Sequence, residues 1–283
     1  PPPPRPGPPP PPAPGPAVPI PAAWLARERE AQMYIAEQQP LVVGNGYVAA
    51  MTRTGVMHLA GVFNGDLDKQ PVDPTHVSGK EPQRADLPSF WDGFVIESYG
   101  GDFASALDVG VSAVYSVGAL PGGGSLEARR YAHRSMPHVV GVDFTFNNSG
   151  STTLLSNITQ PGSWGSAAPQ LSTKDANFSH SSADSGMSCW EGGVTMNEDP
   201  TLPLIKLGLC ATDLRSAPLQ VSVPAGETKT VSVLASIYST LDHPSPLVPA
   251  AADLKTATAM TVEARWGAHV SAVDEVLESG IEV

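Results

Sequence analysis

Cationic side chains are scarce in this sequence, with 16 Lys and Arg against 28 Asp and Glu and a formal net charge of −12. A nucleic acid or an anionic membrane needs a clustered basic surface, and no Lys/Arg stripe runs along the chain, so neither partner is expected. Long apolar runs are missing as well, and no stretch approaches the ~18 residues that would cross a bilayer. The chain opens on Pro1 without a charged region followed by an apolar one, so either a removed true start or a segment of a longer product is expected.

Metal-ligand spacing is also missing. The histidines His58, His76, His133, His138, His180, His243 and His269 are scattered, and neither His-x-x-x-His nor Cys-x-x-Cys occurs. Asp66, Asp68 and Asp73 do not follow calcium-loop spacing. Gly122-Gly123-Gly124 precedes a strand pattern and no helix, so it reads as a turn and not a phosphate cradle. No metal and no cofactor is expected. Cysteine is limited to Cys189 and Cys210, which flank a turn-rich stretch containing Asn197, Pro200 and Pro203. In an oxidising compartment they would staple a hairpin-like loop, adding roughly 3 kcal/mol by chain entropy. Two unpaired buried thiols are the alternative.

Proline is what the chain has in excess. Residues 1–22 are almost entirely Pro, Ala and Gly, a composition that fixes φ, removes backbone donors and favours a polyproline II leader. At about 3.1 Å per residue such a rod reaches roughly 60 Å. It reads either as a linker or as an assembly element whose preformed shape loses little entropy on docking into a neighbouring copy.

From Trp24 to Gln39 the pattern is helix-like and charged until Pro40 interrupts it. Short Val-, Thr-, Tyr- and Leu-rich runs then alternate with Gly, Pro, Asn and Asp: 41–52, 56–63, 94–99, 107–117, 126–133, 138–146, 152–159, 204–210, 219–223 and 228–238. That rhythm predicts an all-β fold, a large antiparallel β-sandwich, over 23–250. Residues 251–283 change to Ala, Leu, Glu and Val at helical spacing, predicting one or two helices that lead toward a further domain.

Within this frame Gly44-Asn45-Gly46-Tyr47 reads as a tight hairpin turn, because Asn-Gly supplies the positive φ such turns need. His133, Arg134 and His138 could form an acid/base cluster, but on a strand they would alternate faces and serve structural hydrogen bonds.

Four ordered segments carry a resemblance. They are Val43 to Val48, Leu59 to Gly65 with Asn64, Arg84-Ala85-Asp86-Leu87-Pro88, and Tyr131 to His138 with His133 and Arg134. Together they resemble the amino-terminal domain of glycoside hydrolase family 65, whose members include acid trehalases, disaccharide phosphorylases and protein glucosylgalactosylhydroxylysine glucosidases. The resemblance covers about residues 40–283 and thins between Pro161 and Pro203. It implies a galactose-mutarotase-like supersandwich beside a helical barrel in which a Glu is the general acid of an inverting reaction on α-glucosides. Inversion needs two groups about 6.5–9.5 Å apart when both are carboxylates. No residue of this chain matches those positions, so no catalytic residue is expected here. Gly44, Asn45, Gly46, Tyr47, Asn64, Arg84, His133 and Arg134 are then structural or pocket-edge residues. Gln83 stands where related sequences commonly have His, after an insertion-like segment, Asp66 to Pro82.

Three sequons, at Asn147, Asn157 and Asn177, lie in a Ser/Thr/Asn-rich region and with the cysteine pair favour an extracellular or secretory-pathway glycoprotein. Three functions remain in play. One is a non-catalytic family 65-like domain that contacts carbohydrate and its own downstream catalytic domain. Another is a structural subunit of an extracellular fibre or cell wall, assembled through the Pro-rich rod. The last is a free-standing carbohydrate-binding module with Trp91, Trp164 or Trp190 as aromatic platforms.

Overall fold

The computed structural model describes residues 20–29, 33–36, 41–52, 56–63, 84–88, 94–97, 104–120, 122–159, 170–172, 176–184, 186–194, 203–214 and 218–279. Residues 1–19 of the Pro-rich leader, Asn64, the Asp66 to Pro82 segment, Trp91, Trp164 and residues 280–283 lie outside them.

In chain order the elements are α1 (Ala22–Arg29), β1 (Met33–Ala36), β2 (Val42–Gly44), β3 (Val48–Met51), β4 (Val56–Leu59), β5 (Leu87–Pro88), β6 (Val95–Ile96) and β7 (Ala104–Asp108). β8 (Ala113–Leu120), β9 (Gly124–Ala132), β10 (Val139–Asn148), β11 (Leu154–Thr159), β12 (Gln170–Ser172), β13 (Ala176–Asp184) and β14 (Met187–Val194) follow. The series ends with β15 (Ile205–Thr212), β16 (Leu219–Val223), β17 (Thr228–Ser239), α2 (Leu247–Ala259) and α3 (Val262–Glu278).

They build an antiparallel sandwich. One layer is a ten-stranded sheet in the order β1-β7-β8-β9-β10-β17-β15-β14-β13-β12. The facing layer is made of two small sheets, β16-β11-β6 and β2-β3-β4-β5. The core between the layers joins Val43, Met57, Leu59 and Leu87 of one small sheet and Ile158 and Val221 of the other to Leu126, Val142, Phe144, Phe146, Leu209 and Val233 of the large one. Each such side chain fully removed from water contributes about 1.5–3 kcal/mol before entropy is charged.

The outer face of the large sheet is covered by helices. Trp24 of α1 packs against Ala106 and beside Tyr115 and Val117. Ala250, Leu254 and Ala257 of α2 cover Val139, Leu234 and the Cys189–Cys210 pair. Helices on one side and sheets on the other explain why β10 is buried at nearly every position, whereas a half-exposed strand would alternate.

Gly208 on β15 is where α2 comes closest. A Cβ there would sit 2.3 Å from the Leu247 backbone nitrogen, which no rotamer change can relieve. Gly208→Ala is expected to destabilise by about 1–3 kcal/mol or more, read by denaturant titration, because the helix must shift outward.

The cysteines are cross-strand partners on β14 and β15 and form a disulfide. Two stretches differ from the sequence expectation. Of the helix predicted over Trp24 to Gln39, the described residues hold α1 up to Arg29, whereas Met33-Tyr34-Ile35-Ala36 pairs with β7 as an edge strand. Open backbone donors and acceptors on β7 outweigh the helical tendency of the flanking charges. The Ser- and Asn-rich region after Pro161 also holds strands, β12 to β14, anchored by Phe178, Trp190 and Val194 in the core.

Candidate functional site

The Asn45 turn and the β9–β10 loop are far apart in sequence and meet in space. Asn45 is buried, and its Oδ1 accepts from the Tyr47 and Val48 amides at 2.9 and 2.8 Å, which shapes the turn. Its Nδ2 donates to the carbonyls of His133 (3.0 Å) and Pro137 (2.8 Å). Arg134 completes the clasp by donating from Nη1 to the Asn45 carbonyl. Gly46 has φ +92°, a left-handed backbone conformation that calls for glycine, and the Arg134 guanidinium lies within ordinary contact of the turn.

Behind the clasp lies α3. Its N-cap Thr261 accepts from the Ala264 amide at 3.1 Å. Its sheet-facing positions Arg265, His269 and Val273 follow helical spacing, and two of the three are polar. Arg265 is 2% exposed and distributes its donors to Tyr131 Oη (3.0 Å), the Ala257 carbonyl (3.1 Å), Asp143 Oδ1 (3.2 Å) and Ser232. Asp143, 1% exposed, also accepts from Arg129 Nη2 at 2.8 Å and from Ser232. Arg129 in turn lies 3.7 Å over the Trp266 ring.

The two buried histidines are held neutral by their partners. His133 Nε2 donates to the Arg265 carbonyl (3.0 Å) while its Nδ1 accepts from the Met136 amide (3.1 Å). His269 Nε2 donates to the Val111 carbonyl (2.8 Å) while its Nδ1 accepts from the Arg134 amide (3.1 Å). A proton on either Nδ1 would face an N–H. Burial lowers the pKa of both, that of His133 to about 4. Burial also pulls Arg265 down, but Tyr131 and Asp143 outweigh it, and the guanidinium stays charged. His133 and Arg134 therefore belong to the loop closing β9 onto β10 and seat α3; both ring nitrogens of His133 and the amide and Nη1 of Arg134 are engaged inside the protein.

A half-exposed aromatic group forms the solvent side of the clasp. Tyr47 meets His138 edge-on at 4.1 Å, and His138 stacks on Tyr238 at 3.5 Å and 11°. Tyr47 donates to Asp242, and Tyr238 to Asp253 at 2.6 Å. Rings beside carboxylates are a combination that suits contact with sugar hydroxyls and C–H faces.

The other sequence candidates lie elsewhere. Arg84 is exposed and pairs through its backbone with Phe63. Trp190, 3% exposed, is core and offers no platform. Asn147 and Asn177 are exposed, whereas Asn157 is half-buried with its amide directed at Glu97. Among the described residues no group of three or more His, Cys, Asp or Glu is placed to hold a metal, and no helix is long and apolar enough to cross a membrane.

Sequence reasoning missed Asp143, Ser232, Arg265 and His269. Two signals were available: Arg265 and His269 one turn apart on a helical face, and Asp143 within the apolar run from Val139 to Phe146.

No family model matches this sequence, and no curated protein matches it. Among solved structures, the chain is similar to one described as a kojibiose phosphorylase from human microbiome, at 11% identity and a TM-score of 0.47. The match covers 82% of this chain and 35% of the other, so this chain spans about a third of that protein's length.

Proposed function

We propose that this chain is a non-catalytic amino-terminal-type β-sandwich domain of a family 65-like α-glucoside hydrolase or phosphorylase. One observation carries the reading: the two best segments of the resemblance, around Asn45 and around His133–Arg134, form one buried clasp that seats α3. In that family the helical stretch after the sandwich leads to the catalytic barrel, so a domain built this way fixes the angle at which the barrel is presented. Tyr47, His138 and Tyr238 with Asp242 and Asp253 form the patch on which carbohydrate contact is proposed. The test is mass spectrometry of the polypeptide isolated from its source. A sequence continuing past Val283 into a helical barrel with a general-acid Glu supports the reading; a mature polypeptide ending there overturns it.

A second reading, a subunit of an extracellular glycoprotein assembly joined through the Pro-rich leader, is favoured by the disulfide and the exposed sequon side chains. An oligosaccharyltransferase needs the Asn amide free in an accessible segment. Peptide mapping of secreted material is therefore expected to find glycan at Asn177 and Asn147 before Asn157; occupancy at Asn157 alone would contradict the placement.

A further inference from the structure

Two buried carboxylates on the large sheet have cations beside them: Asp108 pairs with Arg27, and Asp143 with Arg129 and Arg265. Arg130, among the described residues, has no such partner. Arg130 lies on the opposite face of β9, toward the space between the layers, in register with Val114 of β8 and Val142 of β10, both fully buried. Its Nη1 donates to Ser116 Oγ at 2.9 Å, and Ser116 Oγ is 3.0 Å from Ser105 Oγ on β7. Its Nε is buried without a hydrogen-bond partner. Among the described residues no carboxylate pairs with it.

An unpaired guanidinium between apolar strands costs several kcal/mol, and a leucine or methionine of similar volume would avoid that cost. Burial lowers its pKa to about 10, still far above neutrality, so the charge persists. Arg130 as a whole is only half-buried, although its Nε is buried. Ser116 accepts the Arg130 proton, so its own hydroxyl hydrogen can point to Ser105 or outward. A guanidinium with an unpartnered Nε, next to the Ser116 hydroxyl and through it to Ser105, offers the donors that a carboxylate or phosphate accepts from.

We propose that Arg130, Ser116 and Ser105 form a binding site for a small oxyanion, a carboxylate or a phosphate group, on the inner face of the β7–β8–β9 portion of the sandwich. The site does not depend on the family 65 reading, and either can fail alone.

The experiment is a thermal-shift titration of the full chain with inorganic phosphate and, separately, with acetate, each against sodium chloride at equal ionic strength. Heteronuclear NMR of the Arg side chains provides a direct readout. Saturable stabilisation by phosphate or acetate beyond the chloride control, with movement of the Arg130 Nε resonance, is expected; which anion saturates first identifies the source class. Ser116→Ala should weaken binding by about two- to ten-fold, the equivalent of one hydrogen bond. Arg130→Met should abolish the saturable response while leaving the anion-free midpoint equal or higher. No saturable response in the wild type overturns the proposal. So does an Arg130→Met protein that is strongly destabilised without added anion, because a carboxylate of the chain itself would then be the partner.

Discussion

Asp143→Ala is expected to lower stability by about 3–5 kcal/mol, a drop in thermal midpoint on the order of 10 °C for a domain of this size. The substitution leaves Arg265 buried with no carboxylate and strands Arg129, while Ser232 loses its acceptor. Arg265→Met should cost less, about 2–4 kcal/mol, because Asp143 keeps Arg129 and Ser232, and the other lost hydrogen bonds lie at Tyr131, Ala257 and the Ser232 hydroxyl. Arg129→Met should cost least, since that side chain is 18% exposed and half its work is cation–π contact with Trp266. Denaturant titration of the three variants fixes the order; Arg129→Met as the most damaging would show that the network is centred on the wrong residue.

Acid should loosen the same site. His133 has a folded pKa of about 4, below the usual value near 6.5, so the unfolded chain binds the proton more readily. Its contribution is complete above about pH 6.5 and is lost as pH falls toward 4, roughly 3 kcal/mol at about 1.4 kcal/mol per unit. His269 and His138 are shifted the same way by burial and add to the slope. Glu127, raised by burial, works in the opposite direction and gains on protonation. Net stability should therefore fall between pH 6.5 and 5, a window above most carboxylate titration. His133→Asn, which retains an acceptor near the Met136 amide, should be less stable at pH 7 and show a shallower fall. An unchanged slope would mean that His133 titrates normally.

The strand rhythm was legible because its punctuation is chemical. Gly46 and Gly122-Gly123 supply positive φ where hairpins turn and Gly226 where the chain passes from β16 to β17, and the apolar runs between such points became strands. β1 and β12 to β14 were not legible. Met33–Ala36 is too short to outvote the charged helix before it, and Gln170–Val194 carries few β-branched residues, its place being set by Phe178 and Trp190 reaching the core. At the site, Asn45, His133 and Arg134 were visible as motif residues, but their role was not. A clasp is a relation between positions some 90 residues apart, and its other half, Asp143 with Arg265 and His269, looks like ordinary polar residues until β10 and α3 are packed together.

The central claim is that these residues hold α3 on the sandwich, and amide hydrogen exchange along α3 tests it most directly. In the wild type the amides of Arg265 to Val273 should be protected nearly as well as those of β10. Asn45→Ala, which touches no residue of α3, should accelerate exchange there through the loosened His133–Arg134 loop while β14 and β15 keep their protection. Uniform acceleration across the sheet, or an α3 that exchanges no faster than in the wild type, would contradict the clasp.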